Sequence, residues 1–457
     1  MKDQYVKIAK TFLRLICRHP GSNRKERPVM IWKENRENTY CEITPAILAL
    51  KEQWEKKNYI DPKLYKEYNV KRGLRNEDGR GVLTGLTRVA EIQSYTVAED
   101  EHITPTDGVL YYRGIDVREL VRGSAKRGHF AFEEAAYLLL FGELPTPEKL
   151  EEFCRVLGEC RYFRAYIYLC LVTRFGDVPV LRQNTQAKVS RDPASMAWEL
   201  VEEDLDAASG FLNGLSADSF YYVSPAAVTA LKARVKLYLG KKGEAKELAE
   251  SLITNPNYAL DDFDKIFRSK ANKEVIFAFS CLTEDGSSIK ISNQFYSYNH
   301  PNKGSYNYRP AGDVMTMYAD NDLRKEVSIT TLDNLNFVNK YPSGQTGSDP
   351  VVISRLAEMY LISAEAQGLN GGLDRLNELR EKRGLDRVSP GNEADFLDAV
   401  LQERRLEFLA EGFRWYDLVR TGKATQTLGT KDYQCLMPLP SRELLYNPNL
   451  KPNNPGY

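Results

Sequence analysis

A chain of 457 residues is long enough for two or three domains and a sizeable core. Lys plus Arg equals Asp plus Glu at 63 each, so no net field directs it to nucleic acid or to an anionic membrane. The cysteines (Cys17, Cys41, Cys154, Cys160, Cys170, Cys281 and Cys435) include no C-x-x-C pair, and histidine is scarce, so neither a metal site nor a disulfide framework is expected, and no motif calls for a cofactor.

The first stretch, "MKDQYVKIAKTFLRLICRHP", has its apolar run interrupted by Lys10 and Arg14. An amphipathic helix is expected there rather than an export signal, and "LRLIC" ending at Cys17 fits a lipoprotein cleavage box poorly. No apolar run is long enough to span a membrane. "PAILALKEQWEKKNYI" keeps apolar residues at helical spacing with Lys and Glu opposite. In "GLRNEDGRGVLTGLTRVAEIQSY", Gly79, Gly81 and Gly85 punctuate β-branched pieces, which predicts a turn or β-ribbon and does not match a dinucleotide-binding spacing. "FEEAAYLLLFGELPTPEKLEEF" returns to helix, with Leu138, Leu139 and Leu140 as its apolar core, Gly142 as its stop, and Thr146-Pro147 starting the next helix.

From Tyr162 the chain reads as helix–turn–helix pairs. In "SPAAVTALKARVKLYLGKKGEAKELAESLITNPNY", Pro225 sits near the start and Gly240 and Gly243 mark the turn, while Ala230, Ala233, Ala245 and Ala249 let the two helices approach closely. "SRLAEMYLISAEAQGLNGGLDRLNELREKRGL" repeats the design, with the turn expected at Gly371-Gly372. "YFRAYIYLCLVTRFGDVP" and "SMAWELVEEDLDAASGFL" form a third pair. Such pairs bury their faces only by stacking, which predicts a mainly α, tetratricopeptide-like fold with long irregular loops. Between residues 258 and 350 helical periodicity fades. There "EVIFAFS" reads as a strand and "ISNQFYSYNHPNKGSYNYRP" as an ordered aromatic loop of the kind that carries function. Asp320 and Asp322 lack the remaining ligands of a calcium loop and read as exposed acids at a helix start.

The densest cluster of charge and rings is "LQERRLEFLAEGFRWYDLVRTGK", residues 401–423. On a helix Glu403 and Glu407 share a face, and two carboxylates there could do acid/base work. The arginines within a turn or two would instead hold both acids ionised. Glu403, Arg404, Arg405, Glu407, Arg414, Trp415 and Asp417 are therefore expected to form a structural network, with Phe408, Phe413 and Trp415 shielding it and accepting guanidinium stacking. No nucleophile elbow, zinc-protease or phosphate-loop motif occurs, and no catalytic centre is expected.

"RLAEMYLISAEA" (355–366), "LNELREKRGL" (376–385), residues 401–423 and "LMPLPSRELLYNPNLKPNNPGY" (436–457), in that order, resemble the C-terminal signature of the RagB/SusD family of outer-membrane nutrient-binding lipoproteins. The resemblance covers about the last two-thirds of the chain. It implies a helical scaffold at the cell surface that binds an oligo- or polysaccharide and passes it to a SusC-like TonB-dependent transporter, with no role in nucleic-acid binding. Sugar rings stack their C–H faces on aromatics, so Tyr296, Tyr298, Tyr306 and Tyr308, with Asn299 and Asn307, are the candidate ligand platform.

Upstream, "GLRNEDGRGVLTGLTRVAEIQSY", "GVLYYRGIDVRELV" (108–121) and "FEEAAYLLLFGELPTPEKLEEF" (132–153) resemble the N-terminal part of bacterial citrate synthase. That family's catalytic His/His/Asp set lies downstream of the resembling stretch, and His102 and His129 do not stand in its motifs, so the segment is expected to be non-catalytic. The expected organisation is a chimaera: a citrate-synthase-like segment over 1–159 joined without a linker to a RagB/SusD-like domain over 160–457. The apolar helix around Leu138–Phe141 is expected to lack its native partners and either to dock non-natively or to stay poorly packed. The alternatives are citrate synthase activity from the first third and a repeat-type interaction scaffold. Without a signal or lipobox the chain as written reads as cytoplasmic, against the outer-membrane site that the resemblance implies.

Overall fold

A computed structural model describes residues 45–61, 63–68, 70, 86–98, 102–126, 132–268, 271–281 and 290–457. The helix expected at the start, Cys17, Cys41, the glycines Gly79, Gly81 and Gly85, and His129 lie outside the described residues. The chain divides into two compact units, Glu42–Leu157 and Gly158–Tyr457.

In the first unit the helix Pro45–Asn58 follows the amphipathic pattern of its sequence. Strands Ala90–Val97, Ile103–Tyr112 and Ile115–Asp116 form an antiparallel sheet in that order. Helix Val117–Lys126 leads on to helix Phe132–Phe141, and Gly142 stops the latter with φ 78°, a left-handed value that favours glycine. Of the two expected outcomes the helix is docked rather than poorly packed. Tyr137 and Leu138 are each 1% exposed, and Tyr137 and Phe141 pack with Phe153, Leu50 and Trp54. The amphipathic helix Pro45–Asn58 supplies a cover that reading Phe132–Phe141 alone did not anticipate. Arg113 locks the unit together. Its guanidinium donates to the carbonyls of Leu139 at 2.8 Å, Lys57 at 3.2 Å and Arg88 at 3.2 Å.

The second unit is built from stacked helix pairs. Helix Pro147–Phe175 has residues in both units, and its later half packs in one core with helix Ala194–Phe211. Helix Pro225–Tyr238 starts where the Ser224 hydroxyl accepts the Ala227 N–H at 3.1 Å and Pro225 fills the first turn. It turns back at Gly240, φ 71°, into helix Lys242–Ile253. Ala227, Ala230, Ala233, Ala245 and Ala249 are fully buried, which is how the helices of the pair come close. Leu356–Lys382 is two helices in succession, and helix Glu393–Glu407 packs with them in one core. The break inside Leu356–Lys382 falls at Gly368, φ 69°, and not at Gly371-Gly372. Gly372 is helical and serves a close approach: a Cβ there would stand 2.0 Å from the Ala364 carbonyl oxygen.

The segment between these pairs is irregular. "EVIFAFS" gives strand Val275–Phe279, buried almost throughout, and it pairs antiparallel with Val351–Arg355. Ile329–Leu332 and Leu335–Val338 form a hairpin whose two turn residues, Asp333 and Asn334, both have positive φ, as a tight primed turn requires. Asp320 is exposed as expected. Asp322 is not: it is 4% exposed and bound to Arg324, because that arginine is itself buried.

Candidate functional site

Residues 401–423 form the end of helix Glu393–Glu407, a turn, and helix Arg414–Arg420. Glu407 is completely buried and receives Arg355 at 2.5 Å, Arg324 at 2.8 Å and Arg383 at 2.8 Å. Glu274 joins Arg355 at 3.0 Å and Arg383 at 2.7 Å, and Arg355 also holds Glu411 at 2.9 Å. Burial opposes the charge on Glu407, but the guanidiniums of Arg383, Arg355 and Arg324 hold its carboxyl well below the usual range. Such a carboxylate neither gives nor takes a proton near neutral pH, which excludes it as a general acid or base. Buried Lys340 donates to the Glu407 carbonyl at 2.8 Å and to Glu411 at 2.7 Å, and burial pushes its pKa down to about 8.

The geometry corrects several expected pairings. The partners of Glu407 come from distant segments, and Arg404 is not one of them. Arg404 pairs with Asp417 at 2.7 Å and lies over the rings of Phe408 and Phe413. Glu403 pairs with Arg380 at 2.7 Å; its second oxygen lies 2.6 Å from Arg324, off the direction of any N–H, so that contact is an ion pair without a hydrogen bond. Arg405 reaches away to Asp313, a half-exposed pair at the surface. Among the described residues Arg414 donates only to the Leu401 carbonyl, at 3.2 Å. Trp415 stacks on no cation among the described residues, and its indole N–H is buried without an acceptor. Sequence reasoning missed Glu274, Arg324, Lys340, Arg355 and Arg383. "LNELREKRGL" did carry Arg380 and Arg383, but nothing local in it points to Glu407.

The aromatic loop, residues 291–310, divides the candidate ligand residues into two layers. Tyr296 is fully buried, its ring against His300 (centroids 4.4 Å apart) and Phe337 (6.0 Å), and its hydroxyl donates to Asn339 at 2.8 Å. Tyr306 is half-buried, its ring 5.2 Å from Phe337 and its hydroxyl donating to the Asn336 carbonyl at 2.9 Å. Both are floor residues, so Tyr296 in particular leaves the ligand platform, because hairpin Ile329–Val338 covers it. Tyr298 and Tyr308 stand out at 75% and 65% exposure, and Asn299 and Asn307 are exposed with them.

The floor fixes the loop. Tyr306 N–H bonds the Tyr296 carbonyl at 3.0 Å, Tyr308 N–H bonds the Gln294 carbonyl at 3.1 Å, and Ser292 bonds the Gly344 carbonyl at 2.9 Å. Gly304 is needed there, since a Cβ would lie 2.5 Å from the Tyr296 carbonyl oxygen. Lys303 and Tyr306 both have positive φ, a strain that persists only where the surroundings over-determine the backbone. Gln294 holds the Asn307 amide at 2.7 Å, and the Lys303 ammonium lies 5.9 Å above the Tyr298 ring. Neither Gln294 nor Lys303 was singled out from sequence. Burial lowers the pKa of His300, and its Nδ1 accepts the Asn302 N–H at 3.1 Å, so it acts as a neutral floor group. Among the described residues no His, Cys, Asp and Glu cluster could hold a metal ion, and no helix is long and apolar enough to cross a membrane.

Comparison with known proteins finds two family patterns in the chain. The SusD family model matches residues 334–435, the stretch that holds Arg355, Arg383 and Glu407. A model for citrate synthase, C-terminal domain, matches residues 80–184, so it lies in the first part of this chain and runs past residue 159, where the motif-level resemblance ends. The chain is 27% identical over 400 residues to SusD-like protein P38 of Formosa agariphila, covering 70% of this chain and 78% of the relative. It is 48% identical over 52 residues to citrate synthase of Synechocystis sp., covering 11% of this chain and 12% of the enzyme. Among solved structures, a laminarin binding SusD-like protein aligns with TM-score 0.59 at 24% identity, over 74% of this chain and 85% of its own. Surface glycan-binding protein A from Bacteroides thetaiotaomicron, in complex with laminarihexaose, aligns with TM-score 0.57 at 19% identity, over 66% of this chain and 79% of its own. The fold is that of SusD-like proteins.

Proposed function

We propose that the RagB/SusD-like part of the chain, from about residue 160 onward, binds an oligo- or polysaccharide at the cell surface and hands it to a SusC-like TonB-dependent transporter of the outer membrane. The observation that carries this reading is the exposure of Tyr298 and Tyr308 on a loop whose floor, Tyr296, Tyr306 and Phe337, is locked by packing. Rigid aromatic faces beside amide groups suit sugar rings, because the rings stack while Asn299 and Asn307 meet hydroxyls. The glycans bound by the two structural neighbours support the ligand class, and the transporter partner follows from the family pattern. Calorimetry against a polysaccharide panel, with Tyr298→Ala and Tyr308→Ala as controls, tests it. Binding that both variants leave intact removes this face from the account.

The citrate-synthase-like segment is proposed to be non-catalytic. His102 is exposed and outside the family's catalytic motifs, and the short match to the enzyme leaves most of its length uncovered. An assay for condensation of acetyl-CoA with oxaloacetate by the purified protein tests this, and measurable turnover would overturn it.

A further inference from the structure

An open cleft of about 790 Å³ lies apart from the tyrosine loop, with Gly176, Asp177 and Trp198 among its lining on one side and Leu436, Lys451 and Asn453 on the other. Its walls are fixed by hydrogen bonds rather than by loose contact. Arg191 donates to the Asp177 carbonyl at 3.0 Å, the Pro452 carbonyl at 3.0 Å and the Asn454 side-chain oxygen at 2.5 Å. Asn454, 2% exposed, donates in turn to the carbonyls of Phe175 at 3.0 Å and Met437 at 2.7 Å. The cleft is thus preformed, as small-molecule sites usually are.

Two features of the lining suit a charged sugar. Trp198 is half-buried, packed in part against the helical core, and it also lines the cleft, with no hydrogen bond or ring–ring contact among the described residues. The charge is also unbalanced. Every acceptor of Arg191 is a neutral oxygen, and Lys451 is exposed with no ion pair among the described residues. The one lining carboxylate, Asp177, is engaged by the Ala194 N–H at 2.9 Å, at the start of helix Ala194–Phe211. The lining therefore carries two cations against one carboxylate, an excess of positive charge beside an indole able to stack.

We propose that this cleft is a second carbohydrate site, selective for oligosaccharides that carry a carboxylate, with Trp198 as the stacking face and Lys451 and Arg191 as the cationic wall. This rests on the glycan-binding reading of the same unit. A sugar ring on Trp198 presents its apolar C–H face to the indole, and a ring carboxylate meets the Lys451 ammonium. A neutral sugar would leave the excess positive charge of the lining without a counter-charge.

The test is calorimetry and tryptophan fluorescence with tetragalacturonate, its methyl ester and laminarihexaose as probes. Tetragalacturonate is expected to bind, more tightly at low salt, and to weaken roughly tenfold in both Trp198→Ala and Lys451→Gln, the latter an exposed position that leaves the fold intact. The methyl ester should bind at least about tenfold more weakly, and Tyr298→Ala should leave tetragalacturonate affinity unchanged. Equal binding of acid and ester, or wild-type affinity in Lys451→Gln, would overturn the proposal. Laminarihexaose binding that depends on Tyr298, with no response to tetragalacturonate, refutes the cleft and leaves the proposed function standing. Silence toward every probe refutes the cleft, and the polysaccharide panel then decides the proposed function separately.

Discussion

Arg355 and Glu407 are 52 residues apart in sequence and 2.5 Å apart in the core, where neither side chain reaches solvent. Arg355 ends strand Val351–Arg355 and Glu407 ends helix Glu393–Glu407, so the pair joins the small sheet to the last helix pair. Its guanidinium also lies 4.5 Å above the Phe408 ring, which shields it without removing its charge.

Because three guanidiniums converge on Glu407, replacing it with glutamine leaves buried cations short of one counter-charge. Glu407→Gln is expected to lower stability by about 3–5 kcal/mol. Arg405→Ala, which breaks only the surface pair with Asp313, should cost about 0–1 kcal/mol. Urea unfolding of the two variants side by side checks the contrast, and similar losses would refute the division between core network and surface pair.

Stability should also depend on pH through Glu407. Its folded pKa lies well below its ordinary 4.5, so the unfolded chain takes up its proton first as pH falls. The contribution is full above about 4.5 and is lost as pH drops through the folded value. Lys340 acts at the other end: its pKa falls from 10.5 to about 8, so its share of stability rises between those values. Urea midpoints from pH 7 down to 3 should fall more steeply for the wild type than for Glu407→Gln.

Two adjacent glycines should respond oppositely to alanine. A Cβ on Gly372 would meet the Ala364 backbone at 2.0 Å, whereas the nearest atom to one on Gly371 is the flexible Gln367 side chain at 3.1 Å. Gly372→Ala is expected to destabilise by about 1–3 kcal/mol. Gly371→Ala should be neutral or stabilise by up to about 1 kcal/mol through helix propensity. Thermal melting of both variants distinguishes them.

Within the aromatic loop, Tyr296→Ala should act on the fold rather than on ligand affinity. Removing a fully buried ring and its bond to Asn339 is expected to cost about 3–5 kcal/mol. A melting temperature equal to that of the wild type would show that the ring is not part of the floor.

What could be read from the sequence was what is locally encoded. The helix pairs follow from apolar and alanine spacing, and the start at Ser224-Pro225 and the turn at Gly240 follow from capping chemistry. Gly368 and Gly372 were confused because a glycine does not reveal whether it supplies a positive φ or a close approach. The irregular loop has no period, so nothing in "QFYSYNHPNKGSYNY" says that Tyr296 turns inward while Tyr298 turns outward. The nearby arginines in the sequence point to an ionised Glu407 but not to its partners, since Arg324 and Arg355 lie 83 and 52 residues away.

The central claim is that a carbohydrate lies on the exposed face of the tyrosine loop. Calorimetric titration of a glycan panel that includes laminarihexaose into the wild type, and of any glycan that binds into a Tyr298→Ala/Tyr308→Ala double variant with an unchanged melting temperature, tests it most directly. The account predicts measurable heat and saturable binding for the wild type and at least about a tenfold loss of affinity in the variant. Equal affinity in the two proteins, or no binding by the wild type to this or any glycan of a panel, would contradict it.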